Sequence, residues 1–177
     1  VRQIGLSNET PWGTMKYLEL SETKSLPRVA SIQNAYNLVN RGFEIGLSEI
    51  AMQEQVGLLA YSPLAQGTLT GKYLNGQMPQ GSRLALFGDT PLMMRYKGDK
   101  TQKAIEMYVE VAKKFEIDPT QLAIQFCNIQ PFVTSNIIGA TTMEQLKICI
   151  DSIHLDINKE IMNEIRKVHK EIPNPAP

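Results

Sequence analysis

Four short apolar runs, each followed by a helical pattern, constrain the fold of this 177-residue chain more than any other feature. The runs are Gln3–Leu6, Val29–Ile32, Gly57–Tyr61 and Asn136–Ile138. None alternates between apolar and polar residues, which is typical of strands buried on both faces. No hairpin signal joins them, and parallel neighbours need a crossover that a helix provides. The sequence therefore predicts an α/β fold with a parallel sheet.

Capping residues and N1 prolines indicate where the intervening helices begin. The helix after Pro119 is expected to bury Leu122, Phe126 and Ile129, and the last helix to bury Ile161, Ile165 and Val168. Residues 67–99 show no clean period and are expected to form a long loop after the third strand, and residues 170–177 a Pro-rich tail. The predicted helix starts are Thr10-Pro11, Asp99, Asp118-Pro119, Thr142 and Asn158.

The charge balance and the cysteines exclude several classes of protein. The chain has 18 Lys plus Arg and 18 Asp plus Glu, which argues against binding nucleic acid or an anionic membrane through phosphate contacts. No apolar run has membrane-spanning length, and the start carries no secretory pattern. Cys127 and Cys149 follow no C-x-x-C spacing and are expected to be reduced core thiols. We expect a cytoplasmic chain with no nucleic-acid or membrane partner.

The two histidines do not form a recognisable metal site. His154 and His169 lie on different predicted helices without a carboxylate or cysteine at ligand spacing. We therefore expect both side chains to face solvent and no metal to be bound. Val1 lies almost directly at the first strand, which indicates that another segment precedes it in the parent protein.

Small and amide side chains follow every predicted strand. The four segments are Ser7-Asn8, Gln33-Asn34, Ser62-Pro63-Leu64 and Gly139–Thr142. The carboxyl ends of parallel strands are where α/β proteins assemble ligand sites, and these groups suit a neutral amide or a phosphate. They include no acid, base or nucleophile.

Two of these features have alternative explanations. The segment Gly139–Thr142 leads from a strand into a helix, where a phosphate can bind, but a simple N-cap has the same pattern. The segment Gly67–Tyr73 is not a P-loop, because three residues separate its glycines and Tyr73 replaces the Mg²⁺-binding hydroxyl. Lys72 is therefore either a phosphate ligand or a solvated loop lysine.

Five collinear motifs together resemble one family. They are Ile4–Glu9, Ile32–Asn37, Ala60–Leu64, Gly71–Tyr73 and Ile138–Leu146. In this combination and order they resemble the Tas-like branch of the aldo-keto reductases, which is related to the potassium-channel β subunits. The resemblance implies a (β/α)8 barrel that reduces aldehydes and ketones with NADP(H). Residues 1–177 would then be a single partial domain, strands five to eight, and the missing N-terminal half would be its partner.

The same resemblance assigns the cofactor site. Ser7, Asn8 and Gln33 would bind the nicotinamide carboxamide, and Tyr61 would stack on the nicotinamide ring. The pyrophosphate would be contacted by Ser62, Pro63, Leu64, Lys72 and Arg83. The adenosine 2′-phosphate would be contacted by Gly139, Thr141 and Gln145.

The sequence departs from the family pattern in three ways. Ile148-Cys149 stand where a Glu-Asn pair usually reads the adenine, and Gly81 replaces an aromatic residue seen in some relatives. The Asp/Tyr/Lys/His tetrad of the family belongs to the first half of the barrel and is absent here, so the chain alone would lack a proton donor. The leading interpretation is therefore a cofactor-binding half that is active only with its other half.

Two alternatives remain open at this stage. One is a non-catalytic nucleotide-binding or regulatory module like the channel β subunits. The other is a half-barrel that self-associates, because strand edges near Ile4 and Ile138 would lack partners.

Overall fold

The computed structural model describes residues 1–177 as four strands and eight α-helices. The strands are β1 (Ile4–Ser7), β2 (Val29–Ala35), β3 (Gly57–Tyr61) and β4 (Val133–Ile137). The helices are α1 (Pro11–Thr23), α2 (Leu47–Gln53), α3 (Arg83–Phe87), α4 (Pro91–Met94), α5 (Asp99–Lys114), α6 (Pro119–Asn128), α7 (Met143–Asp151) and α8 (Lys159–Glu171).

The strands form one parallel sheet in the order β1-β2-β3-β4. Ser7 pairs with Gln33 across β1 and β2, and Tyr61 of β3 pairs with Ala35 on one side and Ile137 on the other. The carboxyl ends of all four strands therefore lie along one edge. This arrangement confirms the predicted parallel α/β fold.

The two outer strands are not buried on both faces, contrary to the prediction. In β1, Gly5 and Ser7 are exposed, and in β4 the side chain of Ile137 is 42% exposed. Each outer strand has only one neighbour, so one row of backbone groups and part of each face remain uncovered. The inner strands β2 and β3 contain the buried residues Ile32 and Leu58, but they too are buried on one face only, since Ala30 is exposed and Leu59 half-buried.

Three local predictions also need correction. The strand expected at Asn136–Ile138 begins earlier, because Val133 already pairs with Leu58. Asp99 does not cap α5: Gly98 occupies the N-cap position without a side-chain bond, and Asp99 is the first helical residue. Ile129 lies at the C-cap of α6 and is 40% exposed, because the helix ends before it reaches the buried face.

Other helix ends agree with their predicted caps. The Asp118 carboxylate accepts the amides of Thr120 and Gln121 at 2.7 and 3.3 Å and begins α6. Asn158 accepts two amides at the start of α8, whose Ile161, Ile165 and Val168 are buried as predicted. The residues between 67 and 99 are not a continuous loop, since they include α3, α4 and the turn Leu74–Gly76.

The loop between β2 and α2 is buried along its first part, Tyr36–Asn40. Tyr36 in this loop is fully buried and packs against Phe126 of α6 and Phe132, with ring centroids 5.9 and 5.3 Å apart. The Pro-rich tail lies on the same loop, because Ala176 N–H donates to the Val39 carbonyl at 3.0 Å. The tail thus adds a cover to the loop instead of extending into solvent.

An ion pair fixes the far end of this loop. Arg41 donates to both carboxylate oxygens of Glu44 at 2.6 and 2.8 Å, and the Tyr36 hydroxyl donates to the same carboxylate at 2.6 Å. Burial by itself would raise the pKa of Glu44, but the hydrogen bonds from Arg41 and Tyr36 outweigh it and hold the pKa below its ordinary value. The carboxylate is therefore charged in the folded chain at neutral pH.

This ion pair predicts how stability depends on acid. A lowered carboxyl pKa contributes stability that is fully present above the ordinary value of 4.5 and is lost as the pH falls through the folded-state pKa. Glu44→Gln should reduce the free energy of unfolding by about 1.5 kcal/mol at pH 7. The difference from the unsubstituted chain should shrink towards pH 3, as measured by urea unfolding at several pH values.

Glu54→Gln is the matched control, because Glu54 forms an exposed ion pair with Arg28 at 3.5 Å. Such pairs contribute less than about 1 kcal/mol, so its effect should be small at every pH. The pKa of His169 is also lowered, by burial and by Arg41. Protonation of His169 therefore also destabilises the folded chain as the pH falls, but it does so at higher pH than protonation of Glu44. Equal acid sensitivity of the Glu44→Gln and unsubstituted chains would contradict the assignment.

His169 does not face solvent as predicted. Its side chain is half-buried, and its Nδ1 atom is enclosed without a hydrogen-bond partner. His154 is exposed, as expected. No group of three or more His, Cys, Asp or Glu side chains is arranged to hold a metal ion, and none of the helices is both long and apolar enough to cross a membrane.

Candidate cofactor site

A hydrogen-bonded cluster joins the carboxyl ends of β1 and β3 across β2. The Tyr61 hydroxyl donates to Asn8 Oδ1 at 2.8 Å, and Asn8 Nδ2 donates to Ser7 Oγ at 3.3 Å. Gln33, half-buried on β2, is the direct strand partner of Ser7. The four residues predicted to hold the nicotinamide end are therefore brought together on three adjacent strands.

The chain turns sharply after each of the strands that carry this cluster. Asn8 has a left-handed backbone with φ of 53°, and its N–H donates to the Gln33 carbonyl at 2.9 Å. Ser62, directly after β3, has φ of 54°. Left-handed backbone is costly for a residue with a Cβ and is held only where neighbouring bonds require it. Both turns direct the chain away from the sheet and leave polar side chains at its edge.

The turn after β3 is held by side chains from within and from α3. Gln66 Nε2 donates to Ser62 Oγ at 2.7 Å, and Arg83 Nη1 donates to Gln66 Oε1 at 2.6 Å. Pro63 is buried and Leu64 half-buried beneath this turn. Arg83, which lies 21 residues after Ser62 in the chain, is thus brought to the same turn through Gln66.

Gln66 is a contact that the sequence did not predict. Nothing in a single sequence distinguishes Gln66 from any polar loop residue, because its two partners lie four residues before it and seventeen residues after it. Its φ of 60° is also unusual for a residue other than glycine.

Lys72 lies over the same turn. A Cβ placed on Gly67 would come within 3.3 Å of Lys72 Nζ, and the φ of 92° at Gly67 is one that residues with a side chain rarely adopt. The Lys72 ammonium also lies 5.1 Å from the centroid of the Tyr73 ring. Gly67 therefore leaves space for the lysine side chain, which with Arg83 brings two positive charges to the turn after β3.

The residues predicted to bind the adenosine 2′-phosphate lie after β4. The side chain of Gln145 accepts both the N–H and the hydroxyl of Thr141 at 3.0 and 3.1 Å, while Thr142 accepts the Gln145 N–H at 3.2 Å as the N-cap of α7. Gly139 is exposed, and a Cβ there would meet no atom within 4 Å. This group lies beside the turn after β3 through the pairing of Ile137 with Tyr61, but no hydrogen bond joins it to Ser62 or Arg83.

The positions that depart from the family pattern are partly covered. Cys149 is buried in α7 and Ile148 is half-buried. Burial raises the pKa of the Cys149 thiol, and both cysteines are free and buried. This environment favours unreactive thiols that bind no ligand.

The arrangement orders the ligand chemistry along one edge. Neutral amide and hydroxyl groups lie at β1 and β2, cations lie at the turn after β3, and a helix start capped by Thr142 follows β4. A long ligand with an amide at one end and phosphates along its length would match this order.

The chain is an α/β protein with a parallel sheet, and ligand sites in this class lie beyond the carboxyl ends of the strands. The model of the aldo/keto reductase family matches residues 1–170, and the chain belongs to that family. The four parallel strands and their helices are accordingly consistent with part of its (β/α)8 barrel. The family predicted from the five motifs is confirmed.

Three relatives show how far the similarity extends. The protein Tas of Escherichia coli (strain K12) is 50% identical over 177 residues, which cover 100% of this chain and 50% of Tas. The L-glyceraldehyde 3-phosphate reductase of the same organism is 35% identical over 150 residues, 81% of this chain and 42% of that protein. A probable voltage-gated potassium channel subunit beta of Oryza sativa subsp. japonica is 33% identical over 175 residues, 92% and 53% respectively. The chain thus spans about half the length of these relatives.

Proposed function

We propose that this chain is the NADP(H)-binding half of an aldo-keto reductase that converts aldehydes or ketones to alcohols. The observation that carries the proposal is the continuous polar edge from Ser7 to the turn after β3, where Tyr61 reaches across β2 to Asn8 at 2.8 Å. Its amide and aromatic groups suit the nicotinamide, and the cationic groups that follow suit the pyrophosphate. Family membership supports the same reaction class, since aldo-keto reductases are oxidoreductases that generally use NAD(P)H.

In this proposal the nicotinamide end is held by the first cluster. The carboxamide needs a donor and an acceptor together, which Asn8 and Gln33 side chains supply. The Tyr61 ring stacks on the nicotinamide and fixes which face is presented to the substrate. The bound cofactor supplies the hydride.

The phosphate end depends on charge. Ser62 and the backbone around Leu64 hold the pyrophosphate, with Arg83 binding as a planar fork and Lys72 as a point charge. Gly139, Thr141 and Gln145 receive the adenosine 2′-phosphate, which selects NADPH over NADH. Because Cys149 is buried, the adenine ring is held without the contact that an asparagine would make at that position.

A titration of the chain with NADPH tests this proposal directly. NADPH should bind with a saturable change in its own fluorescence, and adenosine 2′-monophosphate should compete with it. Gln33→Leu should weaken NADPH roughly tenfold, the loss of about one ligand hydrogen bond, while leaving the affinity for adenosine 2′-monophosphate unchanged. Equal binding of NADPH by the Gln33→Leu and unsubstituted chains would remove Gln33 from the site.

The second candidate function is a nucleotide-binding regulatory module without catalysis. The similarity to a probable potassium channel subunit beta supports it. Both candidates require cofactor binding, so they are separated by turnover once the other half is supplied, as argued below.

The open strand edges call for a partner, and we propose the first half of an aldo-keto reductase barrel. A parallel sheet of four strands leaves β1 and β4 unpaired on one side, and eight strands are needed to close the barrel. Large apolar side chains are exposed on the helices that follow these two strands, among them Trp12 of α1 at 75% and Met143 of α7 at 73%. Such surfaces are normally covered by another element.

The isolated chain should therefore self-associate at micromolar concentration. Light scattering after size-exclusion chromatography should give a mass of at least twice 19.8 kDa. Addition of the first half of a relative's barrel should convert this species to a one-to-one complex. A monodisperse monomer that does not bind the added half would contradict the proposed partner.

We place the assembled protein in the cytoplasm, as predicted from the sequence.

A further inference from the structure

Asn37 is fully buried, and its side chain forms hydrogen bonds with three backbone groups. Its amide Nδ2 donates to the Ser62 carbonyl at 2.9 Å. Its Oδ1 accepts the N–H groups of Val39 and Asn40 at 3.0 and 2.9 Å. One side chain therefore closes the turn after β2 and at the same time binds the first residue after β3.

The Ser62 carbonyl is a point where strain is held. Ser62 has a left-handed backbone, and its carbonyl also accepts the Ala65 N–H at 2.8 Å. Ala65 and Gln66 are left-handed as well, with φ of 49° and 60°. Conformations of this kind persist only where surrounding bonds over-determine them. Of the two donors to this carbonyl, only Asn37 comes from outside the turn.

The loop that carries Asn37 is itself held on its other side. The Arg41 N–H donates to Asn174 Oδ1 at 2.7 Å, and the Val39 carbonyl accepts the Ala176 N–H from the tail. The Tyr36 N–H, one residue before Asn37, donates to the Tyr61 carbonyl at 3.3 Å. Asn37 is thus a rigid donor between the covered loop and the end of β3.

We propose that Asn37 is a positioning residue that holds Ser62 and the turn after β3 in the conformation that grips the cofactor pyrophosphate. The inference rests on the proposed function. Asn37 itself touches no ligand, since it is enclosed beneath the turn. Substitution of Asn37 should weaken the binding of ligands that contact the turn after β3. It should not change the binding of ligands that contact only the residues after β4.

Asn37→Asp tests this with little change in shape. The carboxylate keeps the oxygen that accepts the two loop amides, loses the donor to Ser62 and places a second oxygen against the Ser62 carbonyl. Asn37→Ser is a second variant, too short to reach the carbonyl and without a buried charge. Asn40→Asp is the matched control: Asn40 is 6% exposed in the same loop, its Oδ1 accepts the Gly42 N–H at 3.3 Å, and it does not contact Ser62.

The first measurement is the affinity for two ligands. In both Asn37 variants the Kd for NADPH should rise about tenfold, as expected for one buried hydrogen bond, and the Kd for adenosine 2′-monophosphate should stay within twofold. Asn40→Asp should leave both unchanged. If NADPH binds the Asn37 variants and the control equally, the inference is wrong while the proposed function stands. Equal losses for both ligands would indicate general unfolding and also overturn it.

The second measurement needs no cofactor and decides the matter even if the unsubstituted chain fails to bind NADPH. Amide hydrogen exchange at Ala65 and Gly67, which donate to Ser62 and Leu64 at 2.8 Å, reports opening of the turn. Exchange there should be about tenfold faster in both Asn37 variants than in Asn40→Asp. Unchanged exchange would show that Asn37 does not hold the turn.

Discussion

The barrel completed with a first half should reduce 4-nitrobenzaldehyde with NADPH at least roughly 10²–10⁴ times faster than this chain alone. This factor is the usual contribution of a positioned general acid. Hydride transfer to a carbonyl leaves negative charge on its oxygen, and under the proposed function the acid that protonates this oxygen belongs to the first half of the barrel. Without that donor the alkoxide is unstabilised in the transition state.

The test joins this chain to the first half of Tas, a relative that is 50% identical to this chain over all 177 of its residues. The rate is read from NADPH absorbance, with the chain alone, the Tas half alone and the joined protein. The joined protein carrying Gln33→Leu is the control, because it keeps the acid but weakens the cofactor. Turnover by the chain alone would overturn the view that the proton donor is elsewhere. Cofactor binding by the joined protein without turnover would favour the regulatory module.

Removing both cations at the turn after β3 should weaken NADPH by roughly 10²–10³. Each charge-assisted bond to a phosphate is worth about 1.5–3 kcal/mol, or roughly tenfold to a hundredfold in Kd, and neighbouring contributions are not fully additive. The variant is Lys72→Ala with Arg83→Ala. Arg83 is already held near Ser62 through Gln66 at 2.6 Å, so little ordering is needed when the ligand binds.

Two further variants make this measurement specific. Arg28→Ala removes an exposed arginine at the amino end of β2, bound to the Glu54 carbonyl, and should leave the Kd unchanged. Arg83→Lys keeps the charge but loses the planar fork, so its loss should be smaller than that of Arg83→Ala. The dependence of the Kd on salt should also become shallower in the double variant. Unchanged affinity in the double variant would make Lys72 a solvated loop lysine and would remove Arg83 from the site.

Sequence reasoning succeeded where the local pattern and the topology express the same physics. The inner strands were predicted from short apolar runs, and Ile32 and Leu58 are buried, although the residues on the other face of β3 are only half-buried. Once the strands are parallel, their carboxyl ends share an edge, so Ser7, Gln33 and Tyr61 could be grouped before any coordinates were known. The same reasoning failed for β1 and β4, because apolar composition does not reveal how many neighbours a strand has.

Contacts between residues far apart in the chain could not be predicted in this way. Asn37 reaches Ser62 across 25 residues, and Asn174 reaches Arg41 across 133. Neither pairing has a periodicity or spacing that marks it, because each depends on how the loops and the tail fold over one another. The start of α5 at Gly98 instead of Asp99 is a smaller failure of the same kind, since either residue is a reasonable cap.

The left-handed residues around the site also limit how this protein can be engineered. Asn8, Ser62, Ala65 and Gln66 all occupy backbone conformations that glycine adopts at no steric cost. Glycine substitutions there would relieve local strain in the folded state, yet they would also make the backbone of the turns that carry the site more flexible. Variants selected for heat resistance at these four positions should therefore lose ligand affinity, a trade-off between durability and preorganisation.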